Sequence, residues 1–333
     1  MTLPMSRKVL FHETGGPEVL KIEDVAVPEP KAGEVRIQVK AIGLNRAESM
    51  YRSGAYLIEP KFPAQLGYEA AGIVESVGPD VTDFAPGDAV SVIPAFNLHD
   101  YGLYGELVLA PTRAVVKHPA SLSWNEAAAV WMAYVTVWGA LIDIAQLGKG
   151  DVVLVPAASS SVGLAAIQVA LSVGAVPVAL TRTSAKAEEL KKAGAAHVIA
   201  TEEQDLVAEV QRITDGKGAR VVFDPVGGQT FTKLAQATAE RGIIFIYGAL
   251  SPDPTPLPLI EVLGKSLTIR GYVLFEIAPD DAKLAKAKEF VLDGLTSGAL
   301  RPQIAKLFPF DQIVEAHRYL ESNVQIGKVV VTV

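Results

Sequence analysis

The sequence predicts an α/β protein of two units, a β-rich first unit and an open, doubly wound parallel sheet. Three observations carry that expectation. The 333 residues amount to about two domains of ordinary size. Up to about residue 120 the apolar residues fall in short β-like runs broken by Gly and Pro. From about residue 123 strand-like and helix-like stretches alternate.

The β-like runs are KVLFHE, EVRIQVKAIG, AAGIVESVG, DAVSVIPAF, GELVLAP and AVVKHP. At SLSWNEAAAVWMAYVTVWGALIDIAQ the period becomes helical: Ser123 heads the stretch and Glu126 follows at capping-box spacing. Trp124, Trp131 and Trp138 recur at seven-residue spacing, which reads as packing along one helix. DVVLV then leads into SVGLAAIQVALSVGA, VPVALT into SAKAEELKKAGA, HVIA into QDLVAEVQRITDG, RVVFDPV into QTFTKLAQATAERG, and IIFIYG follows. Such alternation implies parallel βαβ units, the Rossmann architecture. KSLTIRGYV reads as a further strand, DDAKLAKAKEFVLDGLTSGAL and FDQIVEAHRYLES as helices, and KVVVTV as a last strand. This tail breaks the alternation and is expected to return to the first unit. The division is then residues 1–122 with 276–333, and 123–275.

Composition removes several classes of function. With 30 Lys and Arg against 37 Asp and Glu, the net charge of −7 offers no basic face to nucleic acid or an anionic membrane. The absence of cysteine excludes disulfides, thiolate-bound zinc, iron–sulfur clusters and a cysteine nucleophile. Pro156, Ser159 to Ser161, Gln168 and Pro177 interrupt the apolar stretches, so none reads as a membrane span. MTLPMSRKVLFHE lacks the apolar core and cleavage site of a signal peptide, and a soluble, cytoplasmic protein is expected.

After the strand DVVLV, Ala158, Ser160 and Gly163 occupy the three glycine positions of a G-x-G-x-x-G fingerprint. That turn must be tight, let a pyrophosphate approach the backbone, and open a helix whose free N–H groups attract the anion. Ser159, Ser160, Ser161, Val162 and Gly163 are therefore candidate phosphate contacts, although a Ser-rich strand–helix turn reads the same outside a βαβ context. At the end of the second strand no acid stands at Thr181, Arg182, Thr183 or Ser184 to bind a ribose 2′-hydroxyl; Arg182 and Lys186 stand there instead. This favours NADPH over NADH, the bland alternative being two solvated surface cations.

Several motifs in order, VLFHETGGPEVLKIEDVAVPEPKAGEVRIQVKAIGLN, GYEAAGIVESVG, GDAV, AASSSVG, VVFDPVGG and IGKVVVTV, cover nearly the whole chain. In them the chain resembles the zinc-independent quinone oxidoreductase (zeta-crystallin-like) branch of the medium-chain dehydrogenase/reductase superfamily. The resemblance implies a GroES-like catalytic domain, an NADPH-binding Rossmann domain, a cleft between them and a homodimer, for which KSLTIRGYV offers an edge strand. Zinc-dependent relatives carry a Cys ligand where this chain has Asn45 and a His ligand where it has Tyr68, and their four-cysteine lobe has no counterpart, so no catalytic metal is expected. His99, in a loop, is expected to be a packing or surface residue.

The same match places Asn45 at the nicotinamide ribose or substrate, the alternative being an Asn that stabilises its own turn. It sets Tyr56 where relatives have a cleft tyrosine able to give a proton, the alternative being a tyrosine covering the core. Met50 stands where some relatives carry another tyrosine, with Tyr51 beside it, so a two-tyrosine site is not expected. Thr136, Val226, Gly227, Tyr247, Gly248, Ala249, Leu274, Phe275 and Lys328 complete the expected cofactor contacts. The expected chemistry is hydride transfer from the nicotinamide to a quinone or an α,β-unsaturated carbonyl, with a proton from water or Tyr56. Two rival readings stay open: a metal-free alcohol or ketone oxidoreductase, and an NADPH-binding redox sensor without turnover.

Overall fold

A computed structural model describes residues 3–333; Met1 and Thr2, which open both the first expected unit and the stretch read for a leader, lie outside the described residues. In chain order the strands and helices of the first part are β1 (Met5–Phe11), β2 (Lys21–Ala26), β3 (Glu34–Gly43), α1 (Arg46–Arg52), β4 (Ala64–Gln65), β5 (Glu69–Val77), β6 (Ala89–Val92), β7 (Leu107–Pro111), β8 (Val115–Lys117), α2 (Trp124–Ala127) and α3 (Trp131–Val137). There follow β9 (Val152–Val155), α4 (Ser161–Ser172), β10 (Val176–Thr181), α5 (Ala187–Lys192), β11 (His197–Ala200), α6 (Leu206–Ile213), β12 (Ala219–Asp224), α7 (Thr230–Ala237), β13 (Thr238–Ile246), α8 (Leu259–Lys265) and β14 (Thr268–Gly271). The chain ends with α9 (Asp281–Ser297), β15 (Ile304–Pro309), α10 (Ile313–Glu321) and β16 (Lys328–Thr332).

The described residues up to Met132 form one compact unit with Pro302–Val333, and Ala133–Arg301 form the other. In the first unit β1 pairs with β2 and β4, while a larger sheet runs β15-β16-β3-β5-β6-β8 with β7 also on β3. The last strand returns to this unit by lying antiparallel to β3, Val331 opposite Ile42. In the second unit all six strands are parallel in the order β11-β10-β9-β12-β13-β14. Strands covered on both faces read as apolar runs because neither face meets water, and Val153, Leu154 and Val155 of β9 are fully buried.

The structure differs from the sequence reading in three places. The helical stretch from Ser123 is broken, because the Glu69 carboxylate accepts the amides of Trp131 (3.0 Å) and Met132 (3.1 Å) and so starts α3 afresh, and α3 runs on into a π-helical stretch, Trp138–Ile144. Trp131 and Trp138 are buried, but Trp124 belongs to the separate helix α2. The division also falls at 132/133 and 301/302 instead of 122/123 and 275/276. On the C-terminal side the reason is local. Lys283 of α9 pairs with Asp143 at 3.0 Å, and the Gln168 side chain of α4 bonds both the amide and the carbonyl of Arg301. Finally, the expected helix QTFTKLAQATAERG stops at Ala237, where Lys265 donates to the carbonyls of Gln236 (2.6 Å) and Thr238 (2.8 Å) and closes its end. Among the described residues no helix is long and apolar enough to cross a membrane.

Glu69 also accepts a bond from Lys328 at the start of β16, and both side chains are buried. Removing one partner of a buried ion pair strands the other charge, so Glu69→Ala should cost about 3–5 kcal/mol in urea unfolding. A loss below about 1 kcal/mol would show that the pair does not hold β5, β16 and α3 together.

Candidate active site

In the first unit the site grows from the turn after β3. Asn45 caps α1 in an extended conformation (φ −131°, ψ 148°). Glu48 reaches back to accept the Asn45 amide at 2.8 Å, one half of a capping box. The Asn45 side chain does other work: its Nδ2 donates to the Gly43 carbonyl (3.1 Å) and its Oδ1 accepts from Lys328 Nζ (2.6 Å). The Gly43 bond steadies the turn, as the alternative reading of Asn45 has it, and the Lys328 bond orients the amide. Lys328, expected among the cofactor contacts, is buried between Asn45 and Glu69 instead of presenting its ammonium on an open surface.

Glu48 is fully buried and takes three donors: the Asn45 amide, the Tyr68 amide (2.8 Å) and the Tyr104 hydroxyl (2.6 Å). It thus joins the two positions at which zinc-dependent relatives keep ligands. Burial pushes its carboxyl up to about 7, against the opposing pull of those donors and of Lys328. Behind it runs a directed chain. Arg52 has only donors and bonds His317 Nδ1 at 3.0 Å, so the imidazole proton lies on Nε2, facing the Tyr104 oxygen at 3.3 Å. Burial, helped by the Arg52 charge, takes His317 down to about 3 and keeps it neutral.

Tyr56 lies half-buried in the loop after α1 and Tyr68 is 1% exposed; burial raises the pKa of both phenols. Tyr51 is buried edge-on to Phe11, at 5.8 Å between ring centres. His99 Nε2 donates to the Glu59 carbonyl at 2.8 Å. Among the described residues no group of three or more His, Asp or Glu side chains is gathered to hold a metal ion.

In the second unit the expected residues collect at the carboxyl ends of β9, β10, β12 and β13, where open parallel sheets bind ligands. Ser160 caps α4, its Oγ accepting the Gly163 amide at 3.0 Å, and Ser161 and Val162 form the first turn of the helix. A Cβ on Gly163 would stand 2.6 Å from the Ala158 carbonyl, so only glycine lets helix and turn approach this closely. Lys186 donates to Ser159 Oγ at 3.1 Å, which ties the turn after β10 to the turn after β9. Burial and the Arg182 charge lower the Lys186 pKa. An acid does stand close: Glu203 accepts the Ser184 amide at 2.9 Å.

The turns after β12 and β13 are bonded to one another, Tyr247 to Asp224, Leu250 to Pro225 and Ser251 to Val226. Asp224 also accepts the amides of Val226 and Gly227. A Cβ on Gly248 would meet the Pro225 carbonyl at 2.8 Å, and Tyr247 stacks on Phe223 at 3.9 Å. Ala249 is exposed, Thr136 is buried on α3, and Leu274 turns into the core while Phe275 is half-buried.

Sequence reasoning passed over Glu48, Glu69, Tyr104 and His317. Glu48 alone left a local trace, the N-x-x-E spacing from Asn45. Its raised pKa also has a measurable consequence. Between 4.5 and about 7 the native state holds a proton that the unfolded chain has released, so Glu48 contributes stability below pH 4.5 that is lost as pH rises through about 7. His317 acts oppositely, its contribution being lost as pH falls from 6.5 through about 3. Glu48→Gln should therefore remove the fall, and its unfolding free energy should climb relative to the parent chain from pH 4.5 to 7. Parallel stability curves would contradict this.

Comparison with known proteins covers nearly the whole chain. Residues 31–120 match the alcohol dehydrogenase GroES-like domain family, and residues 161–297 the zinc-binding dehydrogenase family. The 2-haloacrylate reductase of a Burkholderia species is 31% identical over 98% of this chain and 98% of its own. Quinone oxidoreductase 1 of Escherichia coli is 32% identical over 97% of this chain and 98% of its own. Among solved structures, an NAD-dependent alcohol dehydrogenase superposes with a TM-score of 0.91 at 34% identity, covering 98% of this chain and 99% of that one. Escherichia coli quinone oxidoreductase in complex with NADPH superposes with a TM-score of 0.90 at 32% identity, with the same coverage.

Proposed function

We propose, for a chain that belongs to the zinc-independent quinone oxidoreductase branch of the medium-chain dehydrogenase/reductase superfamily, that it is an NADPH-dependent reductase of quinones or α,β-unsaturated carbonyls working without zinc. The observation that carries this reading is that Asn45, bonded to Lys328, and Tyr68 stand at the positions where zinc-dependent relatives hold metal ligands. An amide and a phenol form a poor zinc set but good hydrogen-bond donors for a carbonyl oxygen.

The residues fit the cofactor. The start of α4 would receive the pyrophosphate, with Gly163 permitting the close approach. Lys186, Arg182 and the Ser159 hydroxyl supply the charge and donors that a ribose 2′-phosphate requires, and Thr181 and Thr183 border them. The turns at Val226 to Gly227 and Tyr247 to Ala249 would border the nicotinamide half, with Thr136, Leu274 and Phe275 as further contacts. When bound, NADPH supplies a hydride from its nicotinamide ring. Asn45, fixed through its Oδ1 by Lys328, keeps an Nδ2 proton for a ribose hydroxyl or the acceptor oxygen. Tyr56 gives its hydroxyl proton to the reduced acceptor and regains it from water, which its half-exposed position allows. Donors of this kind disperse the charge of a conjugated acceptor better than that of an isolated alkoxide.

The likeness to an NAD-dependent alcohol dehydrogenase favours a second reading, a metal-free alcohol or ketone oxidoreductase in which Tyr56 takes the alcohol proton. One experiment separates these readings: absorbance at 340 nm with NADPH or NADH and a panel of quinones, enones, aldehydes and alcohols. Oxidation of NADPH by quinones or enones supports the proposal. Alcohol-dependent NADP⁺ reduction selects the second reading, and NADPH binding with no turnover selects a sensor. In the first case the paired change Arg182→Ala with Lys186→Ala should lower the preference for NADPH over NADH about 10–100-fold, the worth of charge-assisted bonds to a phosphate.

The reading extends to a homodimer in the cytoplasm. β14 is the edge of the parallel sheet, and on α8 Ile260 (79%) and Leu263 (75%) are exposed beside Leu259. Ile260→Glu with Leu263→Glu should shift the sedimentation of the chain from dimer to monomer; an unchanged coefficient would refute this interface.

A further inference from the structure

We propose that Glu203 is a specificity-determining residue for the cofactor: its carboxylate, fixed on the turn that carries Arg182 and Lys186, opposes a ribose 2′-phosphate and keeps NADH acceptable to a site whose two cations favour NADPH. The inference rests on reading that turn as the 2′-phosphate site. An acid at the end of the second strand takes the ribose 2′-hydroxyl, and a cation there takes the 2′-phosphate. The end of β10 itself supplies only cations, but the fold brings an acid to it from beyond β11.

The two strand ends are joined by a short run of bonds. Thr181 of β10 stands opposite Ala200 of β11. Beyond that pair the Thr201 amide donates to the Thr181 carbonyl at 2.8 Å, and the Glu202 amide to the Arg182 carbonyl at 2.9 Å. The next residue is Glu203, whose side chain accepts the Ser184 amide at 2.9 Å. Ser184 lies midway along the chain between Arg182 and Lys186, so the carboxylate is held against the middle of the cationic turn.

Two effects follow. The bond to the Ser184 amide holds the Glu203 carboxyl below the usual carboxylate range, so the group is charged at neutral pH. That charge repels a phosphate, and the amide it occupies is a donor closed to the phosphate. A ribose 2′-hydroxyl is neutral and can donate to a carboxylate. Lys186, drawn to Ser159 Oγ at 3.1 Å, and Arg182 act in the opposite sense. The site thus carries both signs, and their balance sets the ratio of NADPH to NADH affinity. Arg182 and Glu203 are both exposed, so the effect is modest and screened by salt.

Glu203→Gln keeps an oxygen to accept the Ser184 amide and removes the charge. Dissociation constants of NADPH and NADH are measured on the full chain from nicotinamide fluorescence, at low salt and in about 1 M salt. Competition by 2′,5′-ADP and 5′-AMP, which differ only in the 2′-phosphate, is measured alongside. The expected result is a preference for NADPH that rises about two- to fivefold at low salt, with 2′,5′-ADP tighter and 5′-AMP unchanged, and a rise that disappears in about 1 M salt. Glu202→Gln removes an equal charge from the neighbouring position and should move the ratio less. An unchanged ratio in Glu203→Gln overturns the proposal. Equal weakening of both cofactors, which mere support of the turn would give, overturns it too, as does an equal rise in Glu202→Gln. If Arg182→Ala with Lys186→Ala leaves the parent ratio unmoved, the reading of the turn as the 2′-phosphate site falls, and the proposal with it.

Discussion

Four ionisable side chains buried in one unit govern the site: Glu48, Arg52, Glu69 and Lys328. Taking a charge out of water costs several kcal/mol unless bonds replace its hydration. Here each carries such bonds, and those bonds fix the geometry. Lys328 answers Glu69 and orients Asn45; Glu48 answers the amides of Asn45 and Tyr68; Arg52, through His317 and Tyr104, supplies the donors behind Glu48. Arg52 also reaches Glu321 at 2.7 Å, which links the network to the end of α10. The two residues standing where relatives bind zinc are thus held by a polar network with its own charge balance.

The second unit follows a different constraint, the closeness of backbones. Its parallel strands end together, and the loops at that end approach one another through glycine and through main-chain bonds, as at Gly163 and Gly248. The turn itself has a local cost: Ala157 adopts a φ of +49°, a left-handed conformation that an L-residue enters at about 1–2 kcal/mol. The serines of the turn do structural work as well, Ser160 capping α4 and Ser159 receiving Lys186.

How much of this was legible depends on how local each cause is. The strand–helix alternation was legible because strands buried on both faces leave apolar runs, and the order β11-β10-β9-β12-β13-β14 is that of two βαβ halves wound outward from β9 and β12. The break between α2 and α3 was hidden because its cause, Glu69, stands 62 residues away. The helical period of α9 reveals a buried stripe of Leu284, Ala287, Val291 and Leu295 but not what covers it, so its unit was misassigned. Asn45 and Tyr56 were singled out through motif likeness. The three donors on Glu48 were not, because they come from separate stretches of the chain and no local period records their meeting.

The central claim is that the Glu48 carboxylate holds the turn of Asn45 and the turn of Tyr68 in one arrangement. Native-state hydrogen exchange of those two amides in Glu48→Gln tests it most directly. The account predicts that both exchange at least about tenfold faster, together, while amides of β9 and β12 keep their rates. Unchanged exchange at Asn45 and Tyr68, or a uniform acceleration across both units, would contradict it.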